Sequence, residues 1–384
     1  VSRGGEAPLT VLFLAEALFV GGREEVILLE AGHLDSSRFR SVVGVLSDKA
    51  GPVGAELAAA GVKVVALGQR THRLSLPLLR ALAGLVRAEG VAIIHAHDYK
   101  SALYARLLSR GRLPVIYTVH YSYDSPRLKH RLVNRLLARW ADAVIGVSPG
   151  ACEAIARLDR LPAGKVRLLP NAINPERLQA GQGECEKVRQ ELGLGAGATV
   201  FVSVARLEED KGLGYMLSAL ARLHENCSGV IIGHGPAEAA LKDQAGSLGL
   251  SGRVVFAGMR RDLGRYLCSA DAFVLPSLDE AFGLVLAEAM HAGLPVICTD
   301  VGGTGGVVEA GRQGLLVPPG DVGALAEAMA WMAQNPERAK EMGQAGRLRV
   351  EERFLPRHHL AGLEALYEEV LGRSPGQEAL EAKC

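Results

Sequence analysis

Aromatic side chains are scarce in this chain, 5% of 384 residues. That scarcity suits a protein of many tight strand–helix turns. With no base-reading motif beside it, nucleic acid is not an expected partner. Cysteine is sparse as well. Cys152, Cys185, Cys227, Cys268, Cys298 and Cys384 are scattered, with no C-x-x-C pair, so they read as reduced thiols in a cytoplasmic compartment. No uncharged apolar run reaches the length needed to span a bilayer. Leu9 to Val20 is apolar, but it contains Glu16 and is followed by two glycines. It reads as a first strand and loop rather than a secretion signal. The dinucleotide fingerprint G-x-G-x-x-G and any D-x-D pair are also absent.

The overall charge is nearly balanced, at +1, but it is unevenly spread. Residues 1–172 hold 23 Lys and Arg against 14 Asp and Glu, a net of +9; the rest hold 20 against 28, a net of −8. A basic half and an acidic half imply either different partners or mutual attraction.

The length suits two domains, and 48% apolar residues can fill two cores. Apolar runs at Leu9–Leu14, Ser41–Leu46, Val62–Leu67, Val91–His95, Val115–His120 and Ala143–Val147 alternate with helical patterns near 53–60, 74–88, 99–110, 127–140 and 149–158. The second half repeats the alternation, with runs at Thr199–Ala205, Val230–Gly233, Val254–Ala257, Ala272–Leu275 and Pro295–Thr299. This predicts an α/β protein whose parallel sheets are covered on both faces. Ligands of such sheets gather at the carboxyl ends of the strands. His95, His97, Asp98 and His120 fall there. H-A-H-D offers two imidazoles, but no third ligand has a convincing spacing, so no metal is expected.

The most informative stretch is D-A-F-V-L-P-S-L-D-E-A-F-G-L-V-L-A-E-A-M-H-A-G, from Asp271 to Gly293. A buried strand leads through a short loop into a helix. The loop delivers Glu280, Phe282 and Gly283 to the helix N-terminus, whose free N–H groups suit phosphate. Glu280 and Glu288 are hydrogen-bond acceptors, suited to paired hydroxyls. Phosphate and polyol together suggest a nucleotide sugar. Glu280 and Glu288 with their flanking residues resemble the E-x7-E signature of family 4 retaining glycosyltransferases. P-N-A-I-N-P at 170–175, A-R-L-E-E-D-K-G at 205–212 and G-L-L-V-P-P-G-D at 314–321 resemble that family's segments too.

The resemblance implies a GT-B fold, two Rossmann-like domains facing across a cleft. Residues 1–172 with about 354–384 would form the acceptor-side domain, and 173–353 the nucleotide-sugar domain. Arg206 and Lys211 would clamp the donor diphosphate, helped by the backbone of Phe282, Gly283 and Leu284. Glu288 would accept from the ribose, Glu280 would bind the donor sugar, and Met259 would touch the base. Gly21 and Gly22 would face the diphosphate. His120 would contact donor or acceptor near the reacting carbon, with His97 and Tyr121 on the acceptor side; structural histidines are the alternative reading. Catalysis would rest on His120, Glu280, Arg206 and Lys211 without metal or cofactor, side-chain cations standing where other glycosyltransferases use a metal. At 302–306 the chain departs from the family's G-G-x-x-E, with Gly306 in the acidic position, which predicts a looser loop.

Residues 126–140 read as a basic amphipathic helix. Arg127, Arg131, Arg135 and Arg139 recur every fourth residue as a drifting stripe, and Leu128, Leu132, Val133, Leu136, Leu137 and Trp140 supply the apolar face. Either it packs on the core with a solvated basic face, or it rests on anionic lipid at the inner face of a membrane, where a lipid-linked or cell-envelope glycan acceptor would lie. The rival functions are a GT-B-like nucleotide-sugar epimerase, a glycoside phosphorylase, or a donor-binding protein without catalysis.

Overall fold

The computed structural model describes residues 7–372, apart from 70–73, 121–131, 133–134, 137–139, 160, 162–163 and 196. The chain divides into two compact units. One runs to Ala172 and resumes at Pro356; the other is Ile173–Leu355.

The first unit holds a seven-stranded sheet, in the order β3-β2-β1-β4-β5-β6-β7. Its strands are β1 (Leu9–Ala15), β2 (Phe39–Ser47), β3 (Lys63–Gln69), β4 (Val91–Ala96), β5 (Val115–Val119), β6 (Ala143–Gly146) and β7 (Val166–Leu168). All pairings are parallel. Alternate residues of β1 enter different cores: Val11, Phe13 and Ala15 join one hydrophobic cluster, Leu12 and Leu14 another. That is the period-two consequence of a strand covered on both faces. Leu363, Leu366 and Tyr367 of the helix Pro356–Val370 complete the first of these clusters.

Local chemistry marks the element ends. Ser75 caps Leu76–Glu89 by accepting from the Leu78 N–H, and Gly90 ends that helix with φ of 59°. Asp98 caps Tyr99–Ser109 through Oδ1, while its Oδ2 accepts from the Glu16 N–H at 2.7 Å. The acid of H-A-H-D therefore ties the ends of β1 and β4 together.

The second unit has a six-stranded sheet, β10-β9-β8-β11-β12-β13. Its strands are β8 (Thr199–Val204), β9 (Cys227–Ile232), β10 (Val254–Gly258), β11 (Ala272–Leu275), β12 (Val296–Thr299) and β13 (Gly314–Val317), again all parallel. Both sheets change winding direction beside their first strand, between β1 and β4 and between β8 and β11. Loops diverge at such a point and leave a crevice.

Two expectations need correction. The reading of six reduced thiols fails, because Cys185 and Cys268 are joined by a disulfide, with Cα atoms 5.2 Å apart. The bridge fastens the helix Glu184–Glu191 to the end of Leu263–Leu267. Arg265 adds ion pairs to Glu184 and Glu191 across the same contact. Cys152, Cys227 and Cys298 are free, and burial pushes the Cys298 thiol up to about 12. Cysteine usage thus no longer argues for a reducing compartment. The predicted looseness at Gly305–Gly306 also fails. Thr304 Oγ1 donates to the Thr299 carbonyl at 2.8 Å, and Arg349 donates to the Val307 and Gly306 carbonyls at 2.7 and 3.1 Å.

Among the described residues, no helix is long and apolar enough to cross a membrane. Most of the basic segment 126–140 lies outside the described residues. Of the rest, Leu132, Leu136 and Trp140 are exposed, at 60, 45 and 46%.

Candidate functional site

In the second unit the residues singled out from sequence cluster at the winding reversal. Arg206 follows β8. After it, the short turn Glu209–Lys211 ends at Gly212, whose φ is 64°. A Cβ at Gly212 would sit 2.0 Å from the Pro276 carbonyl oxygen, so glycine lets the loop after β8 lie against the loop after β11. The two are also hydrogen-bonded, Leu278 N–H to the Asp210 carbonyl at 2.7 Å. Lys211 is thereby brought to Glu280, with Nζ 3.0 Å from Oε2, and Ser277 Oγ donates to the same oxygen at 3.4 Å. The side chains are only 15% and 19% exposed.

Glu280 is held from behind by the loop after β12. Gly303 N–H donates to the Glu280 carbonyl at 2.8 Å. A Cβ on Gly302, φ 51°, would lie 2.1 Å from that carbonyl oxygen. Gly283, φ 82°, opens the helix Leu284–His291, which carries Glu288 on its second turn. Phe282 is buried and meets Phe354 edge to face at 5.5 Å, which anchors the loop that presents Glu280. Met259 is 54% exposed at the end of β10. Arg206 stands apart in this arrangement: its side chain is 60% exposed and pairs with Glu208 at 2.6 Å.

In the first unit the predicted strand-end residues divide into enclosed and open. Tyr121 lies outside the described residues. His120 is half-buried. His97, expected on the acceptor side, is 1% exposed and sits behind His120, with Nδ1 3.0 Å from His120 Nε2. It has no open face for an acceptor. At Gly22 a Cβ would meet nothing within 4 Å, so internal packing does not demand glycine there.

Sequence reasoning missed Glu30, His359 and Arg23. Glu30, 1% exposed, accepts from or donates to His359 Nε2 at 2.8 Å and faces His97 Nε2 at 3.3 Å. Glu30, His95 and His97 have the ligand types of a metal site, yet His95 is already engaged at both nitrogens, by Tyr367 at 2.8 Å and Thr118 at 2.7 Å. Its ring also lies 4.2 Å from that of His97, tilted by 38°, a poor arrangement for aiming two in-plane lone pairs at one ion. Arg23 pairs with Glu24 and lies near enough to His97 and His120 to disfavour their protonation.

Burial keeps these rings neutral. Loss of solvation lowers His95 to about 4 and holds His97 and His120 well below the ordinary value. The unfolded chain therefore takes up protons first as pH falls below about 6.5. Their contribution to stability is complete above that pH and is lost as pH drops toward the folded values. His95 alone should cost roughly 3 kcal/mol between pH 6.5 and 4. Urea unfolding across that range should show the slope, and His95→Asn should flatten it; equal slopes would refute the assignment.

Comparison with known proteins adds to this geometry. Residues 20–177 match the family described as Glycosyltransferase Family 4, and residues 185–349 the family described as Glycosyl transferases group 1. The chain is 30% identical to α-maltose-1-phosphate synthase of Mycolicibacterium smegmatis, over 78% of this chain and 85% of that protein. It is also 30% identical to the uncharacterized glycosyltransferase MJ1607 of Methanocaldococcus jannaschii, over 63% of this chain and 66% of that one, just under two thirds of its length. Anabaena Alr3699/HepE, solved in complex with UDP and glucose, superposes with a TM-score of 0.83 at 24% identity, over 93% of this chain and 98% of that one. These similarities agree with two parallel-sheet domains of the GT-B type.

Proposed function

Because the chain belongs to glycosyltransferase family 4, we propose that it moves a sugar, with retention and without a metal, from a nucleotide-diphosphate sugar to a hydroxyl acceptor. The observation that carries this reading is the meeting of Lys211 and Glu280, 3.0 Å apart at the reversal between β8 and β11. A cation and an acceptor held side by side match the two ends of an activated sugar. Lys211 takes the diphosphate, with Arg206 swinging from Glu208 to join it. Glu280, released from Lys211, accepts from sugar hydroxyls. The cations stabilise the leaving diphosphate as charge builds on it. The N-terminus of Leu284–His291 adds backbone donors, Glu288 accepts from the ribose, and Met259 lies against the base. Gly21 and Gly22 leave room for the phosphates, and His120 contacts a hydroxyl near the reacting carbon. No cofactor is needed beyond these groups.

A thermal-shift screen of nucleotide sugars tests the donor class, since a ligand bound only by the native chain raises its melting temperature. HepE has been solved with UDP-glucose, so uridine diphosphate sugars are the first to try. At one hundred times Kd the gain should be about 2.7 kcal/mol. The anomeric configuration of the product then tests retention, and full activity in excess chelator tests metal independence. No shift with any nucleotide sugar would end the reading. Donor conversion without an acceptor would favour the epimerase.

The acceptor is a lipid-linked or cell-envelope glycan, reached by peripheral contact with anionic membrane through residues 126–140. The exposed Leu132, Leu136 and Trp140, spaced by four, support this together with the arginines between them. Changing Arg131 and Arg135 to Glu should weaken binding to phosphatidylglycerol vesicles by at least about thirtyfold at low salt, each of the two cations lost near such a surface being worth about 1 kcal/mol. A wild-type chain that ignores those vesicles would refute the contact.

A further inference from the structure

Behind His120 the first unit encloses a chain of polar side chains drawn from four separate elements. Glu30 comes from the helix Gly22–His33, His359 from Pro356–Val370, His97 from the end of β4 and His120 from the end of β5. Glu30, His97 and His359 are 1%, 1% and 4% exposed. Hydrogen-bonding groups cut off from water must satisfy one another, so the direction of each bond can be worked out.

The chain starts at His359. Its Nδ1 lies 2.7 Å from the Pro170 carbonyl oxygen, which can only accept. Nδ1 therefore carries a hydrogen. Its Nε2 lies 2.8 Å from Glu30 Oε1, and one hydrogen between them completes that bond, whichever atom holds it. In either case Oε2 of Glu30 is left as an acceptor; a hydrogen there as well would give the pair a net positive charge in a site closed to water. Glu30 Oε2 and His97 Nε2 each lack a hydrogen-bond partner and lie 3.3 Å apart, out of line for a hydrogen bond between them. Oε2 is electron-rich, so at that distance it repels a bare nitrogen and attracts an N–H; the hydrogen of His97 therefore sits on Nε2. A neutral imidazole has one hydrogen, so His97 Nδ1 is bare and accepts from His120 Nε2 at 3.0 Å. Burial keeps both rings in the neutral form this requires.

We propose that Glu30 and His97 are positioning residues that fix the tautomer of His120, with hydrogen on Nε2 and a bare Nδ1 as the ring's acceptor for a hydroxyl of the reacting sugar or its acceptor. The role of Nδ1 in the reaction rests on the proposed function; the tautomer does not. An imidazole free to exchange tautomers would present the wrong nitrogen for part of the time, whereas a buried carboxylate upstream sets the choice before substrate arrives.

Nitrogen-15 NMR of histidine-labelled wild-type protein at pH 7.5 reads the tautomer directly, with the His120 signals assigned by their loss in His120→Gln. A protonated Nε2 and an imine-type Nδ1 are expected; the reverse would overturn the proposal without any variant having to fold. Two substitutions then separate relay from packing. Glu30→Gln can still serve, its amide NH2 donating to His359 Nε2 and its oxygen lying beside His97 Nε2, so the tautomer should persist and kcat should stay within about threefold. His97→Phe removes the acceptor for His120 Nε2. It should give a mixture of His120 tautomers and lower kcat at least tenfold with donor KM little changed, order-of-magnitude losses being usual when a proton-handling group is disturbed. An unaltered tautomer in folded His97→Phe would overturn the relay. A fixed tautomer together with full activity in His120→Ala would keep the relay and discard only the part of His120 in transfer.

Discussion

Lys211→Ala should lose transfer activity by about a hundredfold in kcat/KM while the chain stays folded. The size follows from the position of the charge. Removing one preorganised donor to the group on which negative charge develops costs roughly 3 kcal/mol of barrier. The chain stays folded for a reason in the same geometry. Lys211 and Glu280 are mostly enclosed, 15% and 19% exposed, but Ser277 remains as a donor to Glu280; removing one partner of such a pair costs up to about 3 kcal/mol, less than the roughly 5–15 kcal/mol by which folded domains are ordinarily stable. Single-turnover kinetics with saturating donor would place the loss in the chemical step, and urea unfolding would check the fold. Turnover equal to wild type would remove Lys211 from the diphosphate clamp. Loss confined to donor KM would mean that it binds donor and transition state alike.

The second large effect concerns stability. The Cys185–Cys268 bridge closes a loop with a sequence separation of 83. By loop-closure entropy such a link stabilises the folded state by about 4 kcal/mol relative to the open chain. For a unit of this size that corresponds to roughly 10 °C in melting temperature. Reduction, or Cys185→Ser with Cys268→Ser, should lower the transition of the second unit by that order and leave the first unit's transition in place. Alkylation of denatured, unreduced protein supplies the direct check: labelling of all six cysteines would show that the bridge is not formed. The ion pairs of Arg265 with Glu184 and Glu191 span the same contact, so the helix Glu184–Glu191 should stay docked after reduction, with a higher rate of local opening.

Much of the candidate site was legible because its parts are contiguous in the chain. Glu280, Phe282, Gly283 and Glu288 lie in one strand–loop–helix passage, and the apolar run, the proline and the glycine mark each transition. Local pattern does not say which loop faces it; only the family resemblance put Lys211 at the same donor site. Lys211 precedes Glu280 by 69 residues and meets it because β8 and β11 are neighbours. Glu30 gave no signal at all. It reads as one more acid near the end of an amphipathic helix, and the histidine that shares its hydrogen is 329 residues away. His97 was recognised as a strand-end residue, but sequence period does not say which strand ends are open and which are closed off by a neighbouring loop. The cysteines failed for a related reason: scattered positions without spacing carry no connectivity.

The sequence by itself determined the elements. Alternating apolar runs and helical periods dictate two parallel sheets covered on both faces, and the E-x7-E passage dictates the kind of loop that ends β11. These are short-range properties, set by backbone geometry and by the need to bury apolar side chains within a few residues of one another. Only the tertiary structure decided the pairings that carry chemistry: Lys211 with Glu280, Glu30 with His97 and His359, Cys185 with Cys268. Each joins residues whose local surroundings are ordinary, and whose encounter depends on strand order and loop packing summed over the whole unit.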